Sequence, residues 1–261
     1  MRPLVRLPDR TQLQQVFRGK YGPPDRLGWG PQLRQHYQYF NPDDWYEAVV
    51  ASLVVRGTQW LDVGCGHELF PSNPELARLL AARAGLLVGV DPDPSLQQNP
   101  YVHQKAAVAI DDYDGGGRFE LVTLRMVAEH VAVPLRCVAA VQRALRPGGV
   151  AVVYTVFAGS PMPLLTRLAP MSLRHRLKAF LWRTAPGDTF PTCFRMNTRG
   201  RLRRLFGGAG MHEEAFLRLD DCRTFGRFRW LNELELRTRG VFRAVHLPYP
   251  EHCLLGIYRK P

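Results

Sequence analysis

Short apolar runs alternate with helical spacings between residues 57 and 157. The runs "TQWLDV", "LLVGVD", "FELVTL" and "VAVVYTVF" lack polar–apolar alternation, so each predicts a strand covered on both faces, as in a parallel sheet. Between them, "SNPELARLLAARAG" opens on a Ser or Asn cap with Pro74 in its first turn, spaces its leucines and alanines helically and stops at Gly85. "PLRCVAAVQRALRPGG" repeats that scheme and ends in a Pro-Gly-Gly turn. This alternation predicts an α/β, Rossmann-like, doubly wound sheet.

Three segments flank the core. Residues 1–56 hold the loop "GPPDRLGWGPQ", the aromatics Tyr37, Tyr39 and Phe40, and an amphipathic helix starting at Pro42 behind the cap residue Asn41. This segment is expected to form an N-terminal cap over the mouth of the sheet, with residues 57–261 as the main domain. A basic insertion at about 158–197 contains "RLAPMSLRHRLKAFLW", which reads as a lid helix or as a surface for membrane or anionic substrate. Beyond it, "NTRGRLRRLF" predicts a helix with a solvated basic face, "CRTFGRFRWLNELELRTRG" follows, and "EHCLLGIYRK" reads as a last strand.

At 261 residues and 46% apolar, the chain can bury a full core. No export-type leader and no run approaching a membrane span is visible, which gives a cytoplasmic expectation. Five separated cysteines without a C-x-x-C pair argue for reduced thiols against a disulfide framework or a zinc site. The net charge of +12 changes the picture more. Residues 158–232 hold 14 Arg and Lys against five Asp and Glu, so most of the excess lies in one stretch. That stretch could meet nucleic acid, a membrane surface or an acidic substrate, or simply be solvated.

The candidate chemistry begins at "LDVGCG". A dinucleotide fingerprint requires a third glycine three residues after Gly66, and Leu69 stands there. A pyrophosphate on this turn would also meet Asp62, and like charges that close in a desolvated site cost several kcal/mol as an order of magnitude. A cationic amino group would be favoured instead, while Gly64 and Gly66 let a ligand approach the backbone. Asp91, ending the second apolar run, is placed to accept both hydroxyls of a ribose. It follows Gly64 by 27 residues, longer than the usual ~20, and the loop "HELFPSNP" accounts for the excess.

"LDVGCG", "VGVDPD", "FELVTLRMVAEHV" and "LRPGGVAVVY", in that order, resemble class I S-adenosylmethionine-dependent methyltransferases over about residues 45–157. The final "LLGIYRKP" resembles the last antiparallel strand of that fold. The resemblance implies a mostly parallel seven-stranded sheet with one antiparallel edge strand and S-adenosyl-L-methionine as cofactor. It carries Gly64 and Gly66 over to the methionine end and Asp91 to the ribose; Asp62, Cys65 and Pro92 are expected beside them in the cofactor site. Family members often place an acid near the adenine. Val108 occupies the nearest aligned position here, which leaves Asp111 as the polar candidate.

"LRMVAEHVAVP" resembles the E-x-x-E-H segment of ubiquinone-pathway and small-RNA methyltransferases, with Arg125 in place of the first acid and facing the cofactor. Glu129 and His130 are the catalytic candidates. One acid and one imidazole make a poor metal site, so no metal is expected. His130 acts as a general base or packs beneath the site. Acceptor selection is expected from Tyr37, Tyr154, Asp188, Arg195 and Asn197, with turn capping the competing role for the last three. The expected partner is a small or carrier-linked acceptor, such as a sugar or another secondary metabolite, and an anionic one if the basic insertion recognises it; no RNA-binding module is recognisable. The rival reading is a non-catalytic Rossmann module that docks nucleic acid or membrane through the basic insertion.

Overall fold

The computed structural model describes residues 5–168 and 191–261. Seven strands form one sheet: β1 (Gln59–Val63), β2 (Leu86–Val90), β3 (Gln104–Ala106), β4 (Phe119–Arg125), β5 (Leu145–Val156), β6 (His212–Asp220) and β7 (His252–Arg259). Their order across the sheet is β3-β2-β1-β4-β5-β7-β6. Strands β1 to β5 pair in parallel, and β7 runs antiparallel to both its neighbours. The mostly parallel sheet with one reversed strand is therefore present. The reversed strand stands at that margin of the sheet inside β6, which forms the outermost edge.

The apolar runs become strands because the sheet is covered on both faces. On one face Trp60, Leu87, Leu121 and Val152 pack beneath α3 (Pro42–Leu53) and α4 (Pro74–Arg83). On the other, Leu61, Val88, Val122 and Val153 pack beneath α5 (Pro134–Ala144) and α7 (Arg199–Gly208). At about 25 cal/mol per Å² of apolar surface removed from water, these layers supply the main favourable term in folding. The N-terminal region adds α1 (Arg10–Tyr21) and α2 (Trp29–His36). Lys20 of α1 is buried on Asp44 and Glu47 of α3, 3.0 and 2.8 Å away, which ties this region to the sheet's helical layer.

The basic insertion leaves β5 through α6 (Pro161–Leu168) and returns at residues 191–197. Its ends are pinned together, since Ala158 N donates to Asn197 O at 3.0 Å. Most of "RLAPMSLRHRLKAFLW", and Asp188, lie outside the described residues. In α7 the side chains of Leu202 and Phe206 are buried while Arg201, Arg203 and Arg204 face solvent. A last helix, α8 (Arg229–Ala244), joins β6 to β7. Among the described residues, no helix is long and apolar enough to cross a membrane.

Candidate functional site

The end of β1 and the turn after it form the centre of the site. Asp62 lies opposite Thr123 in the β1–β4 register. Trp60 Nε1 donates to Thr123 Oγ1 at 2.7 Å, and that hydroxyl donates its one proton to Asp62 Oδ1 at 2.5 Å. Burial pushes the Asp62 carboxyl up to about 7, against the pull of Thr123 and Arg125 and with help from Asp91. A buried carboxyl poised there gains from a cation placed beside it.

Gly64 and Gly66 both have positive φ, 67° and 46°. A Cβ on Gly64 would stand 2.2 Å from Val127 Cγ2, whereas a Cβ on Gly66 would meet nothing within 4 Å. The turn is closed over Gly64 and open at Gly66. Cys65 turns its thiol inward against Gly89, where a Cβ would come within 2.5 Å of the sulfur, so only its backbone belongs to the turn's surface.

Asp91 approaches from β2. Its Oδ2 accepts from Gly66 N at 2.9 Å and its Oδ1 from Asp93 N at 2.8 Å. Each carboxylate oxygen retains a further lone pair, so the residue can hold the turn and accept hydroxyls from a ligand. Pro92, exposed, follows it. Asn99, buried, completes the cradle by donating to the carbonyls of Cys65 and Gly66 at 3.3 and 3.1 Å. Sequence reasoning missed Asn99. Its only local signal is the Asn-Pro turn dipeptide, which says nothing of contacts 33 and 34 residues away.

At the end of β4, Arg125 pairs with Asp43 at 3.2 Å. Asp43 also binds Arg223, whose guanidinium grips Asp221 at 2.6 and 2.7 Å. Burial opposes ionisation of Asp43, but Arg223 and Arg125 outweigh it and hold the carboxyl well below the usual range. Asp43, Arg223 and Asp221 were not legible as site residues. Arg125, expected to face a cofactor, is at least partly engaged by the first turn of α3.

The loop after β4 separates the two catalytic candidates. Glu129 is turned into the protein: Thr155 Oγ1 donates to it at 2.7 Å, Asn197 Nδ2 donates to Thr155 Oγ1 at 2.6 Å, and burial raises its carboxyl. His130 is half-buried, with Nδ1 2.9 Å from Pro191 O. A carbonyl only accepts, so Nδ1 carries the proton and the lone pair of the neutral ring lies on Nε2. Among the described residues, no group of three His, Cys, Asp or Glu side chains could hold a metal.

The remaining candidates are dispersed. Tyr154 is buried in a stack on Tyr46, ring centroids 5.1 Å apart. Asn197 is buried and donates to Thr155 and to Val156 O, which makes it a clamp between the insertion and β5. Arg195 is exposed and donates to Ala132 O at 2.6 Å, two residues past His130. Tyr37 is held against α8, where its hydroxyl accepts from Arg237 Nε at 3.0 Å. Asp111 sits in a 3-10 turn facing α5, in a surface cleft with Arg136 and Arg143. Burial raises its carboxyl despite those two cations.

The family model described as "Methyltransferase domain" matches residues 35–212, more than half of the chain. The chain belongs to this methyltransferase family. A ubiquinone biosynthesis O-methyltransferase of Cereibacter sphaeroides is 35% identical over 115 residues, covering 41% of this methyltransferase-family chain and 44% of the relative. The chain thus spans less than half the length of the curated relatives it matches. Among solved structures, an S-adenosylmethionine-dependent methyltransferase from Mesorhizobium loti superposes with a TM-score of 0.56 at 18% identity, covering 84% of this chain and 98% of the other. A geranyl diphosphate methyltransferase in complex with GPP and sinefungin gives 0.52 at 14%, covering 83% and 77%. At these identities both report the fold, which is shared.

Proposed function

We propose that this protein transfers a methyl group from S-adenosylmethionine to an oxygen or nitrogen of a small or carrier-linked acceptor. The observation that carries this reading is the glycine turn between two carboxylates, one buried at Asp62 and one bridging the turn at Asp91, in a chain of the methyltransferase family. The donor set suits the cofactor. Asp62 would face its ammonium, the open side of Gly66 gives room for its approach, and Asp91 would accept the ribose hydroxyls with its remaining lone pairs. Pro92 borders the ribose, and Asp111 remains the polar candidate toward the adenine end.

When bound, the cofactor supplies an electrophilic methyl on a sulfonium. The protein's task is then to orient the acceptor, exclude water and remove a proton where the acceptor is a hydroxyl. His130 serves as that base through Nε2, with its ring set by the Nδ1–H bond to Pro191 O. Glu129 and Asn197 act as positioning residues. Their chain through Thr155 fixes the loop that carries His130. Tyr154 and Tyr46 shape the wall behind Arg125, and Tyr37 remains a candidate on the outer acceptor side. Arg195, which donates to Ala132 O in the same loop, would meet an anionic acceptor with its remaining donors. The O-methyl transfer named for the curated relatives favours oxygen as the accepting atom.

The test is to incubate the protein with methyl-labelled S-adenosylmethionine and fractionated extract of its own source, then identify labelled products by mass spectrometry. The expected result is a labelled small molecule that disappears with His130→Ala and with Asp91→Asn. Label that never leaves the cofactor in any fraction would contradict the proposal.

A further inference from the structure

Helices α1 and α2 enclose a pocket lined by three arginines. At 100° per residue, Arg10, Gln14, Phe17, Arg18 and Tyr21 fall within an arc of about 100° on α1, and Arg34 of α2 lines the same pocket. Buried Phe17, Leu27 and Tyr39 make its floor. No Asp or Glu is among the lining residues. The acids that α3 turns toward α1, Asp44 and Glu47, are committed to Lys20, which lies outside the arc.

Arg34 differs from the other half-buried arginines. Its Cζ lies 4.6 Å from the Tyr21 ring centroid and 5.9 Å from that of Phe17, so ring faces hold the cation in place. Arg125, Arg223, Arg239 and Arg259 are half-buried too, and each holds a carboxylate. Among the described residues Arg34 has no ion pair or side-chain hydrogen bond, and its Nε is buried without a partner. A guanidinium that is positioned but unpaired, with two further arginines around the same pocket, marks a place for an anion from outside the chain.

Size and charge say which anion. The pocket has a volume of about 60 Å³. At ~15 Å³ for one water it admits about four waters, the size of a phosphate group and smaller than a nucleoside. A carboxylate would bring one charge against three guanidiniums. A phosphomonoester brings about −1.5 to −2 at pH 7 and three terminal oxygens, one for each arginine. An internal phosphodiester of a nucleic acid carries a single charge and is flanked by sugar on both sides, which keeps it out of a recess this small. Past Arg10, Gln38 and Phe40 the pocket meets a wider cleft at Trp45, with room for the organic part of an ester.

We infer that the pocket between α1 and α2 binds the terminal phosphate group of a small molecule through Arg10, Arg18 and Arg34. It shares no residue with the cofactor turn and does not depend on methyl transfer.

The test is calorimetric titration of the full chain with phenyl phosphate, in phosphate-free buffer and without cofactor. The wild type binds one equivalent, and added salt weakens the binding. Arg18→Gln and Arg34→Gln each lower the affinity by about tenfold or more. Arg18 is exposed, so Arg18→Gln keeps the wild-type melting temperature and carries the test even where loss of Arg34 unsettles the rings around it. Arg56→Gln, which removes an exposed cation outside the pocket, leaves the affinity unchanged. No heat from the wild type at millimolar phenyl phosphate would overturn the inference. So would an affinity untouched by Arg18→Gln and Arg34→Gln, benzoate bound as tightly as phenyl phosphate, or displacement of phenyl phosphate by a single-stranded oligonucleotide with unphosphorylated ends.

Discussion

Gly64 and Gly66 stand two residues apart in one turn, and a methyl group added to each meets different surroundings. At Gly64 it would collide with Val127 at 2.2 Å in a positive-φ conformation, so Gly64→Ala is expected to cost about 2–4 kcal/mol of stability, read as a lowered melting temperature. At Gly66 it would enter open space, so Gly66→Ala should cost only about 1–2 kcal/mol of backbone strain and fall chiefly on cofactor affinity. Equal losses of stability would show that the turn is not closed on one side only. Asp62 has its own signature. Its carboxyl is raised to about 7, so the protein holds it protonated below that value, and a ligand ammonium needs it ionised. Affinity for S-adenosylmethionine should therefore rise between pH 6 and pH 8 in the wild type. Asp62→Asn should be weaker and flat over the same range, and a wild-type affinity that does not change with pH would detach Asp62 from the ammonium. The glycines and both aspartates were legible because a turn, a charge and a strand end are local features. Thr123 and Asn99 were not, since each acts only through partners brought near by the fold.

Asp43 shows how an element is fixed to the site. It begins α3, and its carboxylate joins the end of β4 through Arg125 to the segment after β6 through Arg223. Asp43→Asn removes the anion and leaves two partly buried guanidiniums facing each other, at a cost of about 2–3 kcal/mol. The folded carboxyl lies below the ordinary range. Its contribution is therefore complete above about pH 4 and is lost as the pH falls toward the folded value. The melting-temperature gap between wild type and Asp43→Asn should be widest near neutrality and narrow progressively in acid. A gap that persists unchanged at about pH 2–3 would assign it to packing. At this scale the sequence was informative wherever burial is two-sided. The four central strands and the capped starts of α3 and α4 follow its pattern. β3 has three residues with none buried, and β6 is an edge strand with one fully buried side chain, so neither leaves an apolar run to read.

For the whole molecule, the placement of β7 between β5 and β6 is the feature that hydrophobic pattern could not supply. An apolar run says that a strand is covered, and is silent on its direction or its neighbours; the reversed strand was expected from the family resemblance of "LLGIYRKP" alone. Charge was equally indirect. The excess in residues 158–232 points to the insertion, most of which lies outside the described residues, and the arginines of α7 in that stretch face solvent. At this scale the central proposal is that the carboxyl ends of β1 and β2 bind S-adenosylmethionine. Calorimetric titration of the full chain with that cofactor tests it most directly. Saturable binding of one equivalent is expected, weakened about tenfold or more by Asp91→Asn. No heat from the wild type at millimolar cofactor, or an affinity untouched by Asp91→Asn, would contradict it.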